Sequence, residues 1–254
     1  MTLIVLMAAL GAAMGSFAAL VAERILRGEG WALGRSRCRS CQTELRAADL
    51  VPILSWWRLG GACRHCAAPI PAILLQAEIT GALMGAVAAW VAPDPARGLL
   101  LALWMWSLLA LACADLRRFR LPEPLMALTA LLGLALALAG DGSGWPPLDE
   151  RLTSALWGAA IGGGAFWTIR TLYRWWSGRE GMGLGDVLLL GALGLALGPA
   201  RLPLVVLFAA GTALALALLR ARRKGRSLRR LGRLPFGAAL ALAGALVAVI
   251  GPGA

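Results

Sequence analysis

Long apolar runs alternate with short polar stretches along almost the whole chain. The runs at about 2–22, 72–92, 98–114, 124–140, 152–170, 186–199, 203–219 and 234–251 predict eight helices. Several are shorter than the ~20 residues that a perpendicular membrane span takes, the run after Asp186 most of all. One polar interval is long, residues 23–71, and it is the only sizeable soluble element. The others are tight turns such as Pro93-Asp94-Pro95. The pattern predicts an all-α polytopic membrane protein of about eight transmembrane helices with a small cytoplasmic loop. It divides into a first helix (1–22), the loop (23–71) and a transmembrane core (72–254).

Composition agrees. Of 254 residues, 59% are hydrophobic and 15% charged, and the mean hydropathy is +0.74. That is too apolar for a soluble domain of this size. Residues 1–22 hold no Lys or Arg, whereas a cleaved signal peptide carries a positive start. They read as a retained span.

The net charge of +12 raises nucleic acid as a partner, but its distribution excludes that. Apart from Arg97, Arg151 and Arg201, all 25 basic residues fall in 23–71, 115–123, 170–185 and 220–233. Basic loops stay on the cytoplasmic side. These four intervals are therefore cytoplasmic and both termini lie outside. The charge is a topology signal, and the run 220–233 is a solvated orientation anchor beside membrane lipid.

Cys38-Arg-Ser-Cys41 and Cys63-Arg-His-Cys66 form two CxxC knuckles in the long loop. Four thiolates at this spacing read as a tetrahedral zinc site. A reducing cytoplasm favours metal over disulfides. With Cys38, Cys41, Cys63 and Cys66 all ligating, no position is open to substrate, so the zinc is structural and ties two hairpins. His65 is a bystander, and as the sole histidine it leaves no base for a Ser-His-Asp triad. Cys113, in an apolar run, reads as core packing.

Among 13 carboxylates, Glu78, Asp115 and Asp186 lie in or at the ends of spans. An acid at bilayer depth is expensive, and marks function by default. Asp115 ends the third run. Asp186 opens the sixth, behind the alternating glycines 181, 183 and 185. The charge-derived topology puts both at the cytoplasmic level. Two adjacent carboxyls share a proton. The ionised one can activate water against a peptide carbonyl, and the protonated one can donate to the leaving group. That is aspartyl protease chemistry. Helix capping, or pairing with Arg117 or Arg118, is the competing reading. A proton-coupled transporter also uses intramembrane acids, but it would place them near the midplane, and no inverted repeat is visible. Glu78 is open between a bond within the bundle and a substrate contact.

The ordered set of motifs resembles the type IV prepilin peptidases, bifunctional leader peptidase/N-methyltransferases of bacterial inner membranes. The set is Gly15-Ser16-Phe17; the CxxC pairs around Asp49-Leu50-Val51-Pro52-Ile53-Leu54-Ser55-Trp56; Glu78; Asp115 with Leu121-Pro122-Glu123; Gly183-Leu184-Gly185-Asp186; and Leu234-Pro235-Phe236-Gly237. The resemblance implies that Asp115 and Asp186 are the catalytic pair of an intramembrane aspartic endopeptidase. It implies removal of a basic leader from prepilins or pseudopilins, after a glycine, at the cytoplasmic face. It further implies methylation of the new N-terminus with S-adenosylmethionine, an activity associated with the cysteine loop and with Gly61. Two positions depart from the family: Ala19 replaces its asparagine, and Leu188 replaces a lysine two residues after the second aspartate.

Overall fold

The computed structural model describes residues 1–28, 35–139, 146–224 and 234–250, with side chains to 222 in the third stretch. The turn at 140–145 and most of the basic run 220–233 lie outside the described residues. Among these, nine α-helices form: α1 (Thr2–Leu26), α2 (Leu54–Arg58), α3 (Ala72–Val91), α4 (Pro95–Arg118), α5 (Glu123–Leu138), α6 (Leu148–Ser177), α7 (Leu184–Leu197), α8 (Leu202–Lys224) and α9 (Phe236–Ile250). No strand forms among the described residues, only isolated antiparallel bridges. All but the short α2 coincide with the predicted apolar runs.

Helices α1, α3, α4 and α8 are long and apolar enough to cross a membrane; α5, α7 and α9 are apolar but shorter. Local chemistry sets their ends. Asp94 caps α4 by accepting from the amides of Ala96 and Arg97, both at 2.9 Å, and Pro95 follows at the first helical position. Phe119 stops α4 in the left-handed region, and Gly178 stops α6 the same way.

α4 is the axis of the bundle. It packs on α1, α3, α5 and α9, and buries Trp104 and Trp106 completely. The Trp106 indole donates to the Gly81 carbonyl at 3.0 Å. Two helix pairs close on either side through glycine. Gly11 and Gly15 of α1 face Gly81 and Gly85 of α3 so tightly that a Cβ on any of the four would strike a backbone carbonyl opposite. Gly158 of α6 and Gly194 of α7 meet in the same way. Lipid offers no hydrophobic drive to hold helices together, so van der Waals contact between bare backbones does it. We expect Gly158→Val to force α6 and α7 apart and cost roughly 1–3 kcal/mol. A lower unfolding midpoint in detergent checks this.

Each helix end at the 118–123 turn shares its side of the bundle with the long loop, the 178–183 turn and the start of α9. Arg97, Arg151 and Arg201 line one cavity of about 320 Å³ at the opposite end. The sparse arginines and the dense ones are thus segregated, as the charge pattern requires.

Candidate active site and zinc knuckles

Asp115 and Asp186 come together at the end of the bundle that carries the long loop. The last turn of α4 brings in Asp115, which is only 6% exposed. α9 begins after Pro235, so its first amides have no side-chain cap of their own. Asp115 fills that role from another helix. Its Oδ2 accepts from the Ala238 amide at 2.8 Å, and the Gly237 amide also bonds its carboxyl. A helix N-terminus is a natural seat for a carboxylate. Gly237 gives the carboxyl room, since a Cβ there would lie 3.1 Å from it and press on the Leu121 side chain at 3.0 Å.

Asp186 is the third residue of α7 and reaches back toward the amide of Gly183, the residue preceding the helix. It is partly buried, and close enough to Asp115 for the two charges to interact. Leu121 is the spacer between them. Its side chain touches both Gly185, beside Asp186, and Gly237, beside Asp115. The glycine turn before α7 is itself held. Arg170 of α6 donates through Nε to the Met182 carbonyl at 3.2 Å, and pairs with Glu180 at 2.9 Å.

Both acids therefore act as helix caps, as the competing reading expects. The arginine pairing does not occur. Among the described residues neither acid has a basic partner, and Arg117 turns instead to Glu23 at 2.5 Å. The result is two uncompensated carboxyls side by side, which capping alone does not require. A cavity of about 720 Å³ lies between α5, α6 and α7, and neither acid lines it, although Val187 and Leu188, which follow Asp186, do. Glu123 and Leu188 are both in its lining, which apart from Glu123 is apolar.

The four knuckle cysteines converge. Their Sγ atoms all lie within 4.8 Å of one another, and Cys38 and Cys66 are 3.8 Å apart. Four sulfurs about 2.3 Å from one tetrahedral ion are spaced about 3.8 Å apart, so the donor set fits zinc. Antiparallel bridges Arg37–Glu44 and Ala62–Pro69 form the two hairpins. Thr43 draws the Cys41 thiol down to about 6, first through its hydroxyl and then its amide, and the amides of Cys66 and His65 lower Cys63. Ligation needs thiolates, so these donors prepare two of the four ligands; Cys66, despite the Ala68 amide, is pushed up to about 11 by desolvation and the other three cysteines. His65 is not among the clustered groups. Cys113 is buried in the core.

Asp49 ties the segment between the hairpins to the second of them. Arg64 of the second knuckle bonds it at 2.5 Å and holds its carboxyl below the usual range, against its desolvation. Gly61 has φ +71°, and its backbone amide donates to the Trp56 carbonyl at 2.9 Å. A Cβ on Gly61 would lie 2.8 Å from the Trp56 ring, whose indole N–H is buried without a partner. The Glu78 carboxyl turns neither to another helix of the bundle nor to an open face: its Oε2 accepts the Ile53 amide of the long loop at 2.7 Å.

Sequence reasoning missed the α9 amides on Asp115. Their signal was Gly237, where a Cβ would crowd the Asp115 carboxyl. It also missed Glu23. This acid at the end of α1 binds Arg39 of the first knuckle, Arg27 and Arg117, joining the cysteine loop to the helix that bears Asp115.

Two family profiles match the chain: the bacterial peptidase A24 N-terminal domain over residues 9–92, and the type IV leader peptidase family over 99–218. Relatives named prepilin leader peptidase/N-methyltransferase include one from Stutzerimonas stutzeri, 33% identical over 84% of this chain and 70% of the relative. One from Aeromonas hydrophila is 36% identical over 83% and 69%. One from Burkholderia pseudomallei strain K96243 is 38% identical over 85% and 67%. No solved structure matches. Two adjoining profile matches and relatives aligned over most of both chains carry one conclusion: this chain belongs to the type IV leader peptidase family, beside the bacterial prepilin leader peptidase/N-methyltransferases.

Proposed function

We propose that this protein removes the basic leader of prepilins or pseudopilins at the cytoplasmic face of the bacterial inner membrane and methylates the new N-terminus. The observation that carries the reading is the pair of neighbouring, uncompensated carboxyls at the loop-bearing end of the bundle. One of Asp115 and Asp186 is ionised and takes a proton from water as its oxygen bonds the scissile carbonyl carbon. The other donates its proton to the departing amine as the C–N bond breaks. The open turn at Gly181–Gly185 lets an extended backbone approach. The long α1, α3, α4 and α8, with the shorter α5, α7, α9 and the more polar α6, make up eight spans, and both termini lie outside. Residues 1–22, 23–71 and 72–254 are the first span, the zinc-knuckle loop and the protease core.

Cys38, Cys41, Cys63 and Cys66 hold a structural zinc that keeps the loop folded. S-adenosylmethionine supplies an electrophilic methyl group on a sulfonium. On this chain, Gly61 and the unsatisfied indole N–H of Trp56 offer a polar, sterically exacting wall for such a donor. Gly61→Ala pushes on that ring, and we expect it to lower methylation at least about tenfold while leader removal persists. Equal losses of both would overturn this assignment of Gly61. A prepilin incubated with purified protein and labelled S-adenosylmethionine tests the whole reading. The expected product has lost its leader and gained one labelled methyl group. An intact prepilin would refute it.

A further inference from the structure

The segment between the knuckles does not behave like a water-exposed loop. Leu50, Val51, Leu54 and Trp57 are 47%, 43%, 63% and 80% exposed. Leu54 and Trp57, three residues apart, share one face of α2, and Leu50 and Val51 lie just before the turn that leads into it. Four large apolar side chains within eight residues form a patch that water would penalise.

A second observation gives its depth. The Ile53 amide donates to Glu78, the seventh residue of α3. At 1.5 Å per residue, Glu78 sits about 9 Å below the start of that helix. α3 has 20 residues, the length of one hydrocarbon core, so its first residue marks the cytoplasmic boundary. Even with the Glu78 side chain directed back toward the helix start, Ile53 lies at or below that boundary. The backbone is bent to reach it. Ile53 has φ 64° and ψ −53°, an outlying conformation for a β-branched residue. The Pro52 carbonyl accepts the Leu54 amide at 2.6 Å across it, a tight γ-turn. Such strain persists only where surroundings hold it, and the buried Glu78 carboxylate is the anchor. Exposed Arg46 flanks the segment and complements anionic headgroups, while Arg58 at the other end is turned to the Ala48 carbonyl at 2.7 Å.

We propose that residues 50–57 form a re-entrant element whose apolar face is embedded in the cytoplasmic leaflet, with Trp57 at the headgroup boundary. The partner is membrane lipid. The proposal rests on the membrane placement of α3 and not on the catalytic reading.

The test uses the full chain in nanodiscs of phosphatidylethanolamine and phosphatidylglycerol. Photoreactive benzoylphenylalanine replaces Leu54 or Trp57, both already exposed, so packing is undisturbed. Gln42, exposed in the first knuckle, is the control. After irradiation, positions 54 and 57 are expected to yield at least about tenfold more lipid adduct than position 42, the contrast between acyl boundary and water. Glu78→Ala in the same background frees Ile53 and lowers the adducts several-fold. Equal adducts at all three positions, or crosslinks to a second copy of the chain in place of lipid, overturn the proposal.

Discussion

Asp115→Asn and Asp186→Asn are each expected to abolish leader removal, by ~1,000-fold or more in kcat/KM, while the protein still inserts and folds. The amide keeps a carbonyl oxygen facing the Ala238 amide, so the α9 cap survives with little loss of stability. What goes is the carboxyl: neither an ionised base nor a shared proton remains at that position. Asp115→Ala adds a separate effect, because the Ala238 amide then loses its acceptor, at a cost of about 1 kcal/mol. Comparing Asn with Ala thus divides chemistry from capping. The measurement is product mass from a purified assay, beside the unfolding midpoint of each variant. Complete leader removal by either Asn variant would eliminate the dyad, and both acids would revert to the capping role that their geometry also satisfies.

The second large effect concerns the knuckles. Cys→Ser at any of 38, 41, 63 or 66 is expected to reduce bound zinc from about one ion per chain to almost none, since hydroxyls do not replace thiolates. Without the metal, Asp49 still ties the second hairpin to the segment between the two, through Arg64 and Arg58. We expect methylation to fall at least about tenfold as Gly61 and Trp56 lose their frame. Leader removal declines less, by a few-fold, because among the described residues the ion pairs that link the loop to α4 run through Arg39, Glu23 and Arg117. Metal analysis and product mass read both effects. Purified wild-type protein without zinc would overturn the metal site. Cleavage lost as completely as methylation would show that the loop is part of the protease.

Much of this was legible because the membrane imposes one-dimensional rules. Apolar runs located α1 and α3–α9 without any tertiary information. The charge bias ordered their ends, and so placed Asp115 and Asp186 on one side before any geometry was known. Knuckle spacing named the four cysteines that converge in the same way, since CxxC is a local constraint. The long loop was less legible. Its polar average hid Leu50, Val51, Leu54 and Trp57, whose apolar face is visible only once the neighbouring backbone is placed.

By itself, then, the sequence determined the helices, their alternation, the four knuckle cysteines and the level of the two acids. These depend on hydrophobicity, charge and spacing along the chain, and each acts locally. Only the tertiary structure decided which groups each acid meets. It gave Asp115 the amides of α9, from 123 residues away in the chain. It turned Arg117 away to Glu23 and Glu78 toward Ile53. Such pairings depend on how closely glycine-faced helices approach one another, and that distance is not written in any single segment.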